Sequence, residues 1–317
     1  MAETPEGETK MKKFTAFMAL LLAFACGRAE AAAPKVYFTK EITPESLVRV
    51  YEALERKADG QNVAVKISIG EPGSNYLKPE LIKDLVKRVD GSIVECNTAY
   101  GGARGDTFEH MRVALEHGYT GIAYVDILDA DGSMALPVKD GKHLKEDLVG
   151  SRFKNYDFYV VLSHFKGHAM AGFGGAIKNI SIGLGSRQGK ALIHSGGRST
   201  SNVWCGEQEA FLESMAEAGK AVVEALNGKI LYVSVMNRIS IDCDCDPSPS
   251  EPEIHDIGVL ASLDPVALDQ ACVDLALAAP GSESLRERIK SRDGAHTLEY
   301  AERIGLGSRK YELVKLD

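Results

Sequence analysis

Asp157-Phe-Tyr-Val-Val-Leu-Ser163 is a nearly continuous apolar run between two polar ends. A run this short, rich in β-branched and aromatic residues, predicts a strand buried on both faces. Both faces of a sheet are buried when helices cover it from each side, so this stretch points to an α/β fold. The flanking sequence repeats the step. Upstream, Val63–Ile69 is β-like and the helical stretch Pro79–Val89 follows it; Ser92–Cys96 is again β-like. Thr107–His117 predicts a helix with Gly118 as its cap, before a strand over Ile122–Asp126. Downstream, Glu207–Asn227 predicts a long amphipathic helix ended by Gly228, and Lys229–Met236 the next strand. A strand over Ile257–Ser262 and a helix over Pro265–Ala279 repeat the pattern, with Asp264 placed to cap that helix. Asp131-Gly132 and Asp140-Gly141 bracket Ser133–Lys139, which predicts a small hairpin excursion. The expected architecture is a mostly parallel sheet flanked by helices, over a single domain from residue 32 to 317, in one lobe or two.

Composition agrees and narrows the function. The 317 residues are 44% hydrophobic and 26% charged, which excludes disorder and a multi-pass membrane protein. A net charge of -8 argues against nucleic acid as a partner and leaves a small molecule or cofactor as the expected ligand. At the N-terminus, Met11-Lys-Lys13 precedes an apolar run from Phe14 to Ala25 and then Ala29-Glu-Ala31. A basic start, a short apolar stretch and an A-x-A site predict a signal peptide over residues 1–31, with Met11 as the alternative start. The run is too short to cross a bilayer, so no transmembrane span is expected after its removal. Export to the periplasm or the outside follows, with a lipoprotein at Cys26 as the alternative, although bulky Phe24 disfavours lipidation.

The chemistry concentrates between Ser163 and His194. His164, Lys166, His168, Lys178, Asn179, Arg187, Lys190 and His194 gather there among the glycines Gly172, Gly174 and Gly175. Glycines let backbone N–H groups approach an anion, and histidine or a buried lysine can move protons near neutral pH. The segment is expected to bind a ligand through Gly172, Gly174, Gly175, Lys178, Asn179 and Arg187. Gly183-Leu-Gly-Ser-Arg-Gln-Gly-Lys190 fits neither a Walker loop, because Leu184 and Ala191 stand at required positions, nor a dinucleotide loop, because Gln188 does.

A second cluster is Asp242-Cys-Asp-Cys-Asp246. Two thiols one residue apart can share a soft metal ion or a cluster, and Cys205 can add a third. A disulfide from one of the pair to Cys205, or inert thiols, is equally consistent with an exported chain. The flanking aspartates oppose thiolate formation without a metal. Pro247 occupies the glycine position of a calcium loop and excludes that reading. Cys96 and Cys272 lie in apolar patterns and read as core residues.

Several motifs together resemble domain-of-unknown-function family 362: Val65-Lys-Ile-Ser-Ile-Gly-Glu-Pro-Gly73, Asn97-Thr-Ala-Tyr-Gly-Gly-Ala-Arg104, His164-Phe-Lys-Gly-His168, Gly174-Gly-Ala-Ile-Lys-Asn179, Cys243-Asp-Cys245 and Ser262-Leu-Asp-Pro-Val-Ala-Leu-Asp269. Many members carry a ferredoxin insert after the segment matching His194, which implies an association with iron–sulfur clusters. Here Ser195–Gly206 holds one cysteine and no C-x-x-C, the short form. Locally, His168-Ala-Met-Ala-Gly-Phe-Gly-Gly-Ala-Ile-Lys178 is similar to a segment of nickel-dependent lactate racemase, with Gly174 in place of its serine. That similarity implies His168 as a catalytic acid/base, Lys178 as the attachment point of a nickel-bearing nucleotide and His194 as a metal ligand. A racemase- or epimerase-like reaction is therefore one expectation, a redox or proton-transfer role a second, and a non-catalytic binding protein for a small anion a third. The candidate metal ligands are His194, Cys243, Cys245 and Cys205.

Overall fold

In the computed structural model, which describes residues 32–317, seven strands of one eight-stranded sheet run the same way and one runs against them. The expected leader over residues 1–31, the alternative start at Met11 and Cys26 lie outside the described residues. Ala33–Asp317 gather into one compact unit. The strands in chain order are β1 (Lys35–Thr39), β2 (Val63–Lys66), β3 (Gly91–Glu95), β4 (Val125–Ile127), β5 (Ser133–Pro137), β6 (Glu146–Gly150), β7 (Phe158–His164), β8 (Lys166–His168), β9 (Gly172–Gly174), β10 (Ile230–Met236), β11 (Gly258–Ser262) and β12 (Glu312–Lys315). The α-helices are α1 (Pro44–Ala53), α2 (Pro79–Arg88), α3 (Thr107–Glu116), α4 (Ala176–Ile180), α5 (Arg187–His194), α6 (Gln208–Leu226), α7 (Pro265–Ala278), α8 (Glu283–Ser291) and α9 (Ala295–Arg303).

The main sheet has the order β12-β1-β11-β10-β7-β2-β3-β4. Its parallel centre is β10, β7, β2, β3 and β4, while β11 pairs antiparallel with both β10 and β1. The expected strand over Ile257–Ser262 is thus present and its direction is the exception. Expected strand Ile122–Asp126 is shifted, to Val125–Ile127. The hairpin is larger than Ser133–Lys139: β5 pairs antiparallel with β6, and Asp140-Gly141 falls in the connection.

Strand β7 is buried at every position, and its side chains divide between two cores. Phe158, Val160 and Leu162 join the core under α1, α2 and α3, whereas Tyr159 and Val161 join the one under α4, α6, α7 and α9. Alternate side chains of a strand point to opposite faces, which explains why the run had to be apolar throughout. Asp264 caps α7 as expected, its Oδ1 accepting from the N–H groups of Val266 and Ala267. Gly118 takes the left-handed φ of 88° after α3, and Asn227 takes the matching role after α6.

Two features of this topology position the site. From β2 the chain winds outward through β3 to β4, and from β7 it winds the other way to β10, so the order reverses between β2 and β7. Open α/β sheets hold ligands beyond the carboxyl ends of the strands at such a reversal. Here β8 and β9 form a small hairpin immediately after β7, and the loop from Asn237 to Ile257 follows β10 on the same edge.

Candidate functional site

Beyond the carboxyl ends of β2, β3 and β7 lies a narrow cleft. Its walls carry the side chains of Lys66, Arg104, Lys166, Lys178 and Lys190, against the carboxylates of Glu95 and Asp244. Thr98, Tyr100, Ser163, His164, Gly174, Gly175, Asn179, Cys243 and Cys245 complete much of the lining.

Two of these cations are neutralised by design of the surrounding chain. Arg104 is 2% exposed and spans two buried carboxylates, with Nε 2.9 Å from Glu71 Oε1 and Nη1 3.1 Å from Glu95 Oε2. Glu95 also meets His110 Nε2 at 3.0 Å and accepts from the Ile69 N–H at 2.9 Å. Burial pushes the Glu95 carboxyl up, but Arg104, His110 and Lys66 together outweigh it and hold the group well below the ordinary range. Lys166 donates to Asp244 Oδ2 at 2.7 Å, and His164 Nδ1 meets Asp244 Oδ1 at 2.9 Å. Burial opposes ionisation of Asp244, yet Lys166 and His164 keep it a carboxylate.

Among the described residues, the other three cations have no carboxylate partner. Lys66, fully buried at the end of β2, donates to Ile67 O at 2.6 Å and to Asn179 Oδ1 at 2.8 Å. Lys190 donates to Gly185 O at 2.6 Å. The Lys178 amine makes no hydrogen bond or ion pair among the described residues. Burial and the nearby charges of Lys166 and Lys190 lower its amine to about 7, and burial is the main cause of Lys66 falling to about 8. A positive, partly desolvated pocket with one unpartnered amine is suited to an anion.

The residues expected from sequence separate into three groups. Lys178, Gly174, Gly175, Asn179, Cys243 and Cys245 reach the cleft. Of these, Asn179 is a clamp: its Oδ1 accepts from Lys66, while its Nδ2 donates to Lys66 O, Leu162 O and Ser163 Oγ. Its amide ties β2 to β7 across the reversal, so its polar atoms are spent on the protein. Gly175 is required for a similar structural reason. A Cβ there would stand 2.3 Å from Asp269 Oδ1, which accepts from the N–H groups of Ala176 and Ile177 at the start of α4.

Four expected residues do not line the cleft. Gly172 has a φ of +81° and packs against α8, where a Cβ would come 3.1 Å from Ile289 Cα. Its role is the β8–β9 turn, not ligand contact. Arg187 is exposed at the first position of α5, with its backbone N–H bonded to Asp129 Oδ2, so its side chain points away from the ligand space. His168 and His194 are buried behind the lining. His168 Nδ1 accepts from the Met170 and Ala171 N–H groups at 3.1 and 2.9 Å, which puts the ring hydrogen on Nε2. Burial and neighbouring cations hold it neutral, well below its usual value. Nε2 is therefore a donor and not a ready metal ligand. His194 stacks on Phe211 and donates from Nδ1 to Lys190 O at 2.7 Å, leaving its Nε2 lone pair unpartnered. Burial lowers it to about 4.

The expected metal set does not assemble. Cys205 lies in the connection between α5 and α6, its thiol bonded to Asn202 O, and joins no group of three or more potential ligands among the described residues. Cys243 and Cys245 are joined to each other in a disulfide, not to Cys205, and His168 is the residue that lies within 4.8 Å of both. A disulfide sulfur is not a thiolate ligand, and no four-thiol set for an iron–sulfur cluster occurs among the described residues. Among the described residues, the Lys178 amine at the cleft and His194 Nε2 behind its lining each lack a hydrogen-bond partner. Two of the three aspartates flanking the cysteines are paired, Asp244 with Lys166 and His164 and Asp242 with Arg288 and Ser250, while Asp246 accepts only from the Ser248 N–H.

Sequence reasoning missed Lys66, Glu71, Glu95 and Arg104. The legible signal was Lys66 itself, a charge inside an otherwise apolar strand, which is expensive unless something nearby requires it.

Comparison with known proteins adds a family. The profile of the family described as "Domain of unknown function (DUF362)" matches residues 63–274, two thirds of the chain. No curated protein matches. Among solved structures, the lactate racemase apoprotein from Thermoanaerobacterium thermosaccharolyticum is 15% identical with a TM-score of 0.41, over 64% of this chain and 50% of that one. A Thermotoga maritima protein solved by structural genomics is 14% identical with a TM-score of 0.40, over 84% of this chain and 59% of that one. This chain thus spans only half to three fifths of those proteins. The family match covers β2 to α7, every element that lines the cleft, and the chain belongs to the DUF362 family.

Proposed function

We propose that the chain binds a small anionic molecule or cofactor in the cleft between β2 and β7 and moves a proton at it. The observation that carries this reading is Lys178: a half-buried amine, without a partner among the described residues, facing a pocket where Lys66 and Lys190 likewise have no carboxylate among those residues. Lys66 and Lys190 set the positive field, and Asn179 fixes the position of Lys66. With its amine near 7, Lys178 exists in both forms at neutral pH, so it can accept a proton from a carbon or heteroatom acid and return it. The carboxylate or phosphate of the ligand would supply the missing counter-charge. If a metal-bearing nucleotide of the kind implied by the racemase-like segment is that ligand, Lys178 would hold it from the cleft wall, and the metal would supply an electron-accepting centre. The basic, apolar and small-residue pattern of residues 11–31 supports a periplasmic or extracellular setting, where the Cys243–Cys245 disulfide persists.

Pyridoxal 5′-phosphate, an anion carrying an aldehyde, tests the reading directly. Borohydride trapping at pH 7.5 should label Lys178 ahead of the exposed lysines, with protection by inorganic pyrophosphate. Labelling spread over surface lysines and indifferent to pyrophosphate would overturn it.

A further inference from the structure

The Cys243–Cys245 disulfide has the surroundings of a working sulfur pair. Both residues line the cleft, but unequally: Cys243 is 6% exposed, and Cys245 is half-buried and open to it. The Cys245 backbone N–H donates to Cys243 Sγ at 3.2 Å. A donor at that place stabilises negative charge on Cys243 more than on its partner. His168, whose ring hydrogen is on Nε2, lies within 4.8 Å of both cysteines. The charge of the intervening Asp244 is neutralised by Lys166 and His164, so it does not oppose a thiolate beside it.

The loop bearing the pair is held from several sides. Glu71 N–H donates to Asp244 O at 2.8 Å, and Gly167 N–H donates to Ser240 O at 2.8 Å. A Cβ at Gly167 would come 2.3 Å from Ile241 O, so β8 rests directly on this loop. Such a mounting keeps the sulfurs apposed when the bond between them opens. Cys96, which also lines the cleft, bonds to Leu184 O and is not a rival nucleophile.

We propose that Cys243–Cys245 is an exchangeable disulfide that accepts two electrons from a small thiol bearing a carboxylate or phosphate; the anionic half of this assignment rests on the proposed function above. A substrate thiolate attacks Cys245 Sγ, the more accessible sulfur. A bond forms between them, and the Cys243–Cys245 bond breaks, its electron pair leaving on Cys243 under the Cys245 N–H. A second substrate thiolate then attacks the substrate sulfur of this mixed disulfide and expels Cys245. Two thiols become one disulfide, the protein disulfide becomes a dithiol, and the two substrate protons end on the protein sulfurs. Reaction with a small-molecule disulfide reverses the sequence and restores the starting form.

The test uses the folded, oxidised chain with mercaptoacetate as the anionic probe and 2-mercaptoethanol as the neutral one. After brief exposure, acid quench and alkylation, peptide mapping should find the probe on Cys245 and the alkyl group on Cys243. A probe on Cys243, or a disulfide that opens only when urea unfolds the chain, overturns the exchange. Rates compared per thiolate should favour mercaptoacetate by roughly tenfold or more, a preference abolished in Lys178→Gln. Equal rates with exchange intact at Cys245 would overturn the anionic substrate class alone, and so distinguish that failure from failure of the disulfide chemistry.

Discussion

Lys66 Nζ stands 2.8 Å from Asn179 Oδ1, joining the end of β2 to α4 across the reversal in strand order. The contact turns an awkward residue, a lysine inside an apolar strand, into the device that fixes the cleft's shape and sign. Lys66→Met keeps the length and removes the charge. Its buried nitrogen makes only two hydrogen bonds, so the variant is expected to fold with stability within about 1–2 kcal/mol of the parent. Its pyrophosphate affinity, read by calorimetry, should fall by about tenfold.

Arg104 answers to the opposite logic. It is the shared counter-ion of Glu71 and Glu95, both buried, and its removal strands two carboxylates. Arg104→Ala should destabilise the chain by about 3–5 kcal/mol in urea unfolding. Arg104→Lys should recover only part of this, because one ammonium cannot present the guanidinium fork to two carboxylates.

Asp147 is a cost carried by the fold. Among the described residues neither carboxylate oxygen has a hydrogen-bond partner of good geometry, and burial, opposed by Lys190 and the Leu148 N–H, raises the group from 3.8 to about 8. Between those values the folded chain holds a proton that the unfolded chain releases, so stability falls as pH rises from about 4 to about 8 and then levels. Asp147→Asn removes that dependence. At pH 7 the variant should melt roughly 5–10 °C higher than the parent, and the difference should vanish near pH 4.

Much of this architecture was legible in the chain. The apolar runs located β7 and β10, and Asp264-Pro265 marked the start of α7, because burial on two faces and capping both leave local marks. The direction of β11 was not legible, since an apolar strand reads the same whichever way it runs. Lys178 and Gly175 line the cleft and fall in the dense local segment that drew attention in the sequence. Cys205 and Arg187 were misplaced because proximity in sequence does not tell which way a side chain faces. Arg104, Glu71 and Glu95 come from three separate segments, and only the topology brings them together.

The central claim is that a ligand anion supplies the counter-charge Lys178 lacks. Calorimetric titration of the chain with inorganic pyrophosphate at pH 8, repeated in buffers of different ionisation enthalpy, measures it most directly. The amine titrates at about 7 in the free chain, so it is mostly neutral at pH 8, and a bound anion must draw a proton onto it. The account predicts saturable binding with proton uptake approaching one per site, and loss of that uptake in Lys178→Gln. No binding, or binding whose proton uptake is zero or unchanged in Lys178→Gln, would contradict it.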